Sequence, residues 1–82
     1  MYYVYALHNT LINKIYIGQT SNLNQRLEQH NKKYGNHYTS KFEGEWILIY
    51  HESVSTRSEA IKREKQLKSS RGRVYLSKYI PG

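Results

Sequence analysis

Residues 2–18 read Tyr2-Tyr3-Val4-Tyr5-Ala6-Leu7, then His8-Asn9-Thr10-Leu11-Ile12-Asn13, then Lys14-Ile15-Tyr16-Ile17-Gly18. The first and third runs are β-branched and aromatic, the composition that suits a pleated, half-buried surface. Residues 8–13 between them predict a hairpin loop, so the two runs should pair antiparallel. This hairpin starts a small sheet, and the remainder of the chain must cover it.

Working outward, Thr20 or Ser21 is placed to cap a helix over residues 22–33, in which Leu23 and Leu27 stand one turn apart. The helix should end near Tyr34-Gly35-Asn36, before a polar loop over residues 37–45. A strand follows over residues 46–52, with Trp46, Leu48 and Tyr50 on one face and Ile47 and Ile49 on the other. Apolar on both faces, it reads as a central strand covered from each side. Thr56-Arg57-Ser58-Glu59 has the capping-box spacing and opens a second helix through about Lys68, carrying Ala60, Ile61 and Leu67 inward. Ser69-Ser70-Arg71-Gly72 breaks it, and residues 73–80 form a last helical piece with Val74, Leu76 and Tyr79 or Ile80 packing back. The order β-β-α-β-α-α predicts an α+β fold, a three-stranded sheet flanked by helices.

At 82 residues the chain is expected to be one domain, residues 1–82, with a small core. It has no cysteine, which excludes a disulfide framework and a thiolate zinc site, so stability must come from packing. Thirteen Lys and Arg oppose six acids, all of them Glu, for a net charge of +7. That excess favours a polyanionic partner, nucleic acid first, through phosphate neutralisation and counterion release. The longest apolar stretch, Trp46-Ile47-Leu48-Ile49-Tyr50, is too short to span a bilayer, and Met1 opens directly into a strand-like run. A soluble cytoplasmic protein with no membrane association is expected.

Both main helices place ionisable groups within their apolar stripes. On the first, Leu23, Arg26, Leu27 and His30 follow the i, i+3, i+4, i+7 rule; on the second, Ala60, Ile61, Glu64 and Leu67 do the same. Spacing leaves two readings open. Arg26 and Glu64 could form an inter-helix ion pair with His30 at a satisfied boundary position. Alternatively both helices line one cleft, where Glu64 binds a hard cation, Arg26 clamps a phosphate and His30 handles protons.

Nine residues are Tyr, and Tyr5 and Tyr16 lie on strands expected to be neighbours. A phenol is a poor base at its reference pKa near 10 and becomes usable only where cations or a metal favour phenolate. For most of the nine, sheet packing is the sufficient account. Gly18 reads either as a plain strand end or as a place where backbone or phosphate approaches closely.

Taken together, Tyr3-Val4-Tyr5, ten residues, Tyr16-Ile17-Gly18-Gln19-Thr20, and then Leu23-Asn24-Gln25-Arg26-Leu27-Glu28-Gln29-His30-Asn31 resemble the core of the GIY-YIG nuclease family. Glu59-Ala60-Ile61-Lys62-Arg63-Glu64-Lys65-Gln66-Leu67-Lys68 is similar to that family's metal-binding helix. The resemblance covers practically the whole chain and is that of a stand-alone version of the N-terminal nuclease domain found in the excision-repair endonuclease. It implies a three-stranded antiparallel sheet and a one-metal hydrolytic site acting on DNA. Within that site, the resemblance gives Tyr16 the role of general base or water-orienting group, supported by Tyr5. Arg26 would stabilise the scissile phosphate, His30 would hydrogen-bond a tyrosine or the nucleophile, and Glu64 would hold Mg2+ or Mn2+. A single carboxylate ligand also agrees with a chain that lacks Asp, since two-metal nucleases cluster several acids.

The sequence departs from the family pattern in two places. The first motif is Tyr3-Val4-Tyr5 instead of Gly-Ile-Tyr, and no Asn follows residue 36, where many active members carry one beyond the metal-binding glutamate. The second departure keeps a rival reading alive, a non-catalytic DNA- or RNA-binding module that retains the fold. With no targeting domain in the sequence, substrate choice would come from the basic surface or from a protein partner. The candidate phosphate contacts are Lys62, Arg63, Lys65, Lys68, Arg71, Arg73 and Lys78, seven cations with Glu64 as the only acid among residues 62–78. Contacts of this kind give affinity with little sequence specificity.

Overall fold

The computed structural model describes residues 1–32 and 44–80. The expected end of the first helix at residues 34–36, and most of the loop at residues 37–45, lie outside the described residues. The elements are β1 (Tyr2–Asn9), β2 (Lys14–Thr20), α1 (Leu23–Lys32), β3 (Trp46–Val54), α2 (Arg57–Lys68) and α3 (Ser70–Ser77). This is the expected α+β order, and both strand pairings are antiparallel.

The sheet order is β2-β1-β3, so the central strand is β1 and not the Trp46 strand. The reason lies in β1 itself: residues 4–9 are all buried, with Val4, Ala6 and His8 facing one way and Tyr5, Leu7 and Asn9 the other. β3 is an edge strand, and Ile47 is exposed. Its register against β1 shifts between Ala6, which pairs with Tyr50, and Leu7, which pairs with Leu48, leaving Ile49 as the extra residue of a bulge. The bulge breaks the simple alternation read from the sequence. Trp46 and Leu48 serve one face, whereas Ile49 and Tyr50 both pack on the other.

The two faces form two small cores. Under α2 and α3 lie Val4, Ala6, Ile17, Ala60, Leu67 and Leu76. On the opposite face Tyr5, Leu7 and Trp46 are covered by Tyr16, Leu48 and the α1 residues Leu23 and Leu27. Burying Leu67 and Leu76 fully stabilises the fold by about 1.5–3 kcal/mol each. Ile61 and Val74, both expected inside, are exposed. Ala60 and Leu67 already present the apolar line of α2 to the sheet, and Ile61 lies about 100° round the helix from Ala60. Tyr79 packs against the Tyr50 and Tyr75 rings.

Local chemistry sets the boundaries. Asn9 is fully buried because its side-chain Oδ1 accepts the Leu11 and Ile12 amides, which extends β1 two residues beyond the expected loop start and shapes the turn. Asn13 closes the turn in the left-handed region at φ 52°. The α1 cap is Asn22, whose Oδ1 accepts the Gln25 amide at 3.1 Å, and not Thr20 or Ser21; Thr20 Oγ1 accepts the Asn22 amide in the preceding turn. Thr56 caps α2 as expected, accepting from Glu59 at 3.2 Å. Ser69 both terminates α2 and caps α3, accepting the Gly72 amide. Gly72 is required here: a Cβ would run into the backbone of Leu67 and Gln66.

Candidate active site

β1, β2 and α1 bring three of the five candidate catalytic residues into contact. Tyr5 from β1 and His30 from α1 are buried, 1% exposed each, and the Tyr5 hydroxyl hydrogen-bonds His30 Nε2 at 2.9 Å. Tyr16 from β2 completes the group, its ring centroid 5.0 Å from the His30 ring and 6.2 Å from Tyr5. Trp46 supports Tyr16 edge-on at 6.5 Å.

Gly18 makes the cluster possible. It pairs directly with Tyr5 across the β1–β2 ladder, and a Cβ there would lie 2.8 Å from the Tyr5 hydroxyl and 3.0 Å from Tyr16 Cε2. Of the two readings of Gly18, close approach is the one found, and the group that approaches is a phenol ring.

Burial pushes the Tyr5 phenol well above its ordinary pKa, Tyr16 and Glu64 reinforcing the shift and Arg26 opposing it. Arg26 of α1 and Glu64 of α2 thus both bear on the Tyr5 phenol, in opposite directions. Both are half-buried. Glu64 takes its ion pair from Lys68, one turn on, at 2.8 Å. The Arg26–Glu64 pair expected under the purely structural reading does not occur among the described residues, and His30 is a core residue, not a boundary one.

Lys68 and Arg73 line a concavity with Ile15, Tyr16 and Ile17, and Arg73 also lines an adjoining one with Asn13, Lys14 and Ile15. A basic rim thus runs from Tyr16 along the β2 edge. Sequence reasoning misses Lys14, because a lone lysine at a strand start carries no pattern. His51 is a second such residue: it is exposed and pairs with Tyr5 on the β3 side, which only the strand order reveals.

The remaining cations stand elsewhere. Arg63 is committed to Glu52, with Nε donating to Oε1, and it also donates to Gln66. Lys78 stands over the Tyr75 ring, 4.3 Å from its centroid. Arg71 is exposed beside Tyr75, and Lys62 and Lys65 are exposed on α2 and line neither concavity.

No group of three or more His, Asp or Glu side chains able to cage a metal occurs among the described residues. A lone carboxylate still fits Mg2+, which keeps several waters and uses one or two carboxylates together with substrate phosphate oxygens. Glu64, half-buried and paired with the exposed Lys68, is the carboxylate available for that role. Among the described residues no helix is long and apolar enough to cross a membrane.

Comparison with known proteins bears on the family and on the fold. The model of the GIY-YIG catalytic domain matches residues 1–79. A UPF0213 protein of Staphylococcus aureus is 40% identical over 55 residues, 67% of this chain and 66% of the relative. One from Staphylococcus haemolyticus is 39% identical over 57 residues, 70% of this chain and 68% of the relative. The matched stretch thus spans about two thirds of the length of these relatives. A UPF0213 protein of Bacillus halodurans, solved by solution NMR, superposes with a TM-score of 0.56 at 27% identity, covering 100% of this chain and 88% of the other.

Proposed function

The chain belongs to the GIY-YIG catalytic-domain family, a nuclease-type family that acts on nucleic acid, and from that premise we propose that it is a metal-dependent endonuclease hydrolysing DNA. The observation that carries this reading is the convergence of Tyr5, Tyr16 and His30 in one cluster, with Arg26 and Glu64 near enough to bear on Tyr5.

In this mechanism Tyr5 keeps its proton, because burial disfavours its phenolate. It donates to Nε2 of His30 and so fixes the ring and its tautomer. Tyr16, the less buried of the two tyrosines, orients the attacking water, whose proton passes to solvent as the oxygen–phosphorus bond forms, while His30, held by Tyr5, packs against the Tyr16 ring and positions it. Arg26 stabilises the charge that builds on the phosphate oxygens, as a guanidinium suits better than an ammonium. The bond from phosphorus to the 3′ oxygen breaks and the leaving oxygen takes a proton from solvent, giving a 3′-hydroxyl and a 5′-phosphate. Glu64 is the residue that would hold Mg2+ or Mn2+. When bound, that ion supplies Lewis acidity at the phosphate and the leaving oxygen. Lys68 and Arg73 beside Tyr16 hold flanking phosphates.

The test is incubation of purified protein with supercoiled plasmid and with labelled single-stranded and branched DNA, in Mg2+, Mn2+ or EDTA. Nicking that requires the metal supports the proposal. Salt-sensitive binding without cleavage under every condition would replace it with the non-catalytic binding module, which the absence of any Asn after residue 36 favours.

A further inference from the structure

A second aromatic group occupies the other face of the sheet. Tyr50 of β3 meets Tyr75 edge-on with centroids 5.8 Å apart, and Tyr79 at 5.2 Å. Tyr75 and Tyr79 are themselves 5.6 Å apart, with their hydroxyls at 3.2 Å. Tyr50 packs with the core beneath α2 and α3, whereas Tyr16 belongs to the opposite core, and their strands are the two edges of the sheet. The two tyrosine groups are therefore separated by β1 and the thickness of the fold.

This cluster is not core. Tyr75 is 37% and Tyr79 39% exposed, an unusual placement for two adjacent rings resting on the Tyr50 ring. Their polar surroundings are cationic. Arg71 and Tyr75 line one concavity at the α2–α3 junction, Lys78 covers the Tyr75 ring, and neither Arg71 nor Lys78 has a carboxylate partner among the described residues. Glu52, the acid that β3 brings to this side, is neutralised by Arg63.

We propose that this surface is a stacking platform for unpaired bases of single-stranded DNA. A base displaces Lys78 from the face of Tyr75, and Lys78 and Arg71 then take the flanking phosphates. The exchange is favourable in kind, since a cation over an exposed ring gains less than a base stacked on it, and the displaced ammonium gains a phosphate. The proposal rests on the DNA-cleaving reading and narrows its substrate class to duplex carrying a single-stranded extension, the duplex lying at the Tyr16 rim and the unpaired strand at Tyr75. DNA is chosen over RNA because that reading supplies a DNA substrate.

Binding is measured by fluorescence titration of a short single strand containing 2-aminopurine, with the same strand as RNA and a blunt duplex as comparators. Tyr75→Leu keeps apolar bulk but removes the ring; Tyr75→Phe keeps the ring and loses only the hydroxyl contact. The expected result is that Tyr75→Leu binds the single strand about tenfold more weakly, leaves duplex binding within about twofold, and leaves plasmid nicking unchanged, while Tyr75→Phe behaves as wild type. Equal single-strand affinity in Tyr75→Leu, or equal losses on single strand and duplex, would overturn the platform. A tighter complex with RNA than with DNA would overturn the choice of strand. These outcomes are separable from failure of the nuclease reading, which shows as absent plasmid nicking in wild type.

Discussion

Tyr5 and Gly18 face one another across the β1–β2 ladder so closely that the phenol occupies the space a side chain at residue 18 would need. Gly18→Ala should therefore displace the Tyr5 ring and break its 2.9 Å bond to His30. Because Tyr5 is buried and its Cζ also lies 3.0 Å from the added carbon, tip movement alone does not relieve the clash. The expected cost is about 1–3 kcal/mol in urea unfolding, together with loss of cleavage. A variant of unchanged stability and activity would show that the ring packs elsewhere.

Gly72→Ala should be worse for a different reason. The added carbon meets the Leu67 and Gln66 backbone, which cannot rotate away. A loss of about 3 kcal/mol or more is expected, read as a lower thermal midpoint.

Tyr5 also gives the protein an alkaline limit. Its folded pKa lies above the value of about 10 expected in the unfolded chain. Below about pH 10 both states hold the proton and the contribution is fully present; above it the unfolded chain releases the proton first, so stability falls as pH rises. Tyr5→Phe should lose about 1 kcal/mol at neutral pH through the His30 hydrogen bond, yet decline less steeply from about pH 10 upward. Tyr50 and Tyr79 are raised too, but they are common to both proteins, so parallel melts isolate Tyr5. Parallel slopes would contradict this assignment.

The seven cations of residues 62–78 should not behave alike. Arg63→Ala removes a partly exposed pair with Glu52, so it should cost up to about 1 kcal/mol of stability and change DNA affinity little. Arg73→Ala, beside Tyr16, should leave stability nearly unchanged and lower both affinity and its salt dependence. Filter binding at several salt concentrations separates the two.

Much of this architecture is legible in the sequence because its signals are local. The β1–β2 hairpin follows from two short aromatic runs, the start of α2 from Thr56 and Glu59, and the shared placement of Arg26 and His30 on α1 from helical spacing. What is not legible depends on partners distant in sequence. The strand over residues 46–54 looks central from its own apolar residues, yet β1 takes that place because both of its faces are covered by the two cores. The bulge at Ile49 comes from pairing with Ala6 and Leu7, and no pattern within β3 announces it. In the same way, Arg63 looks like any other cation of residues 62–78 until β3 brings Glu52 beside it.

Whether the Tyr16 cluster and Glu64 form one hydrolytic site is decided by single-turnover cleavage of labelled DNA, with binding measured on the same proteins. Glu64→Ala and Tyr16→Phe should each slow cleavage by about 100-fold or more while DNA affinity stays within about twofold of wild type. Cleavage by Glu64→Ala at the wild-type rate, or a loss of binding that matches the loss of rate, would contradict one hydrolytic site.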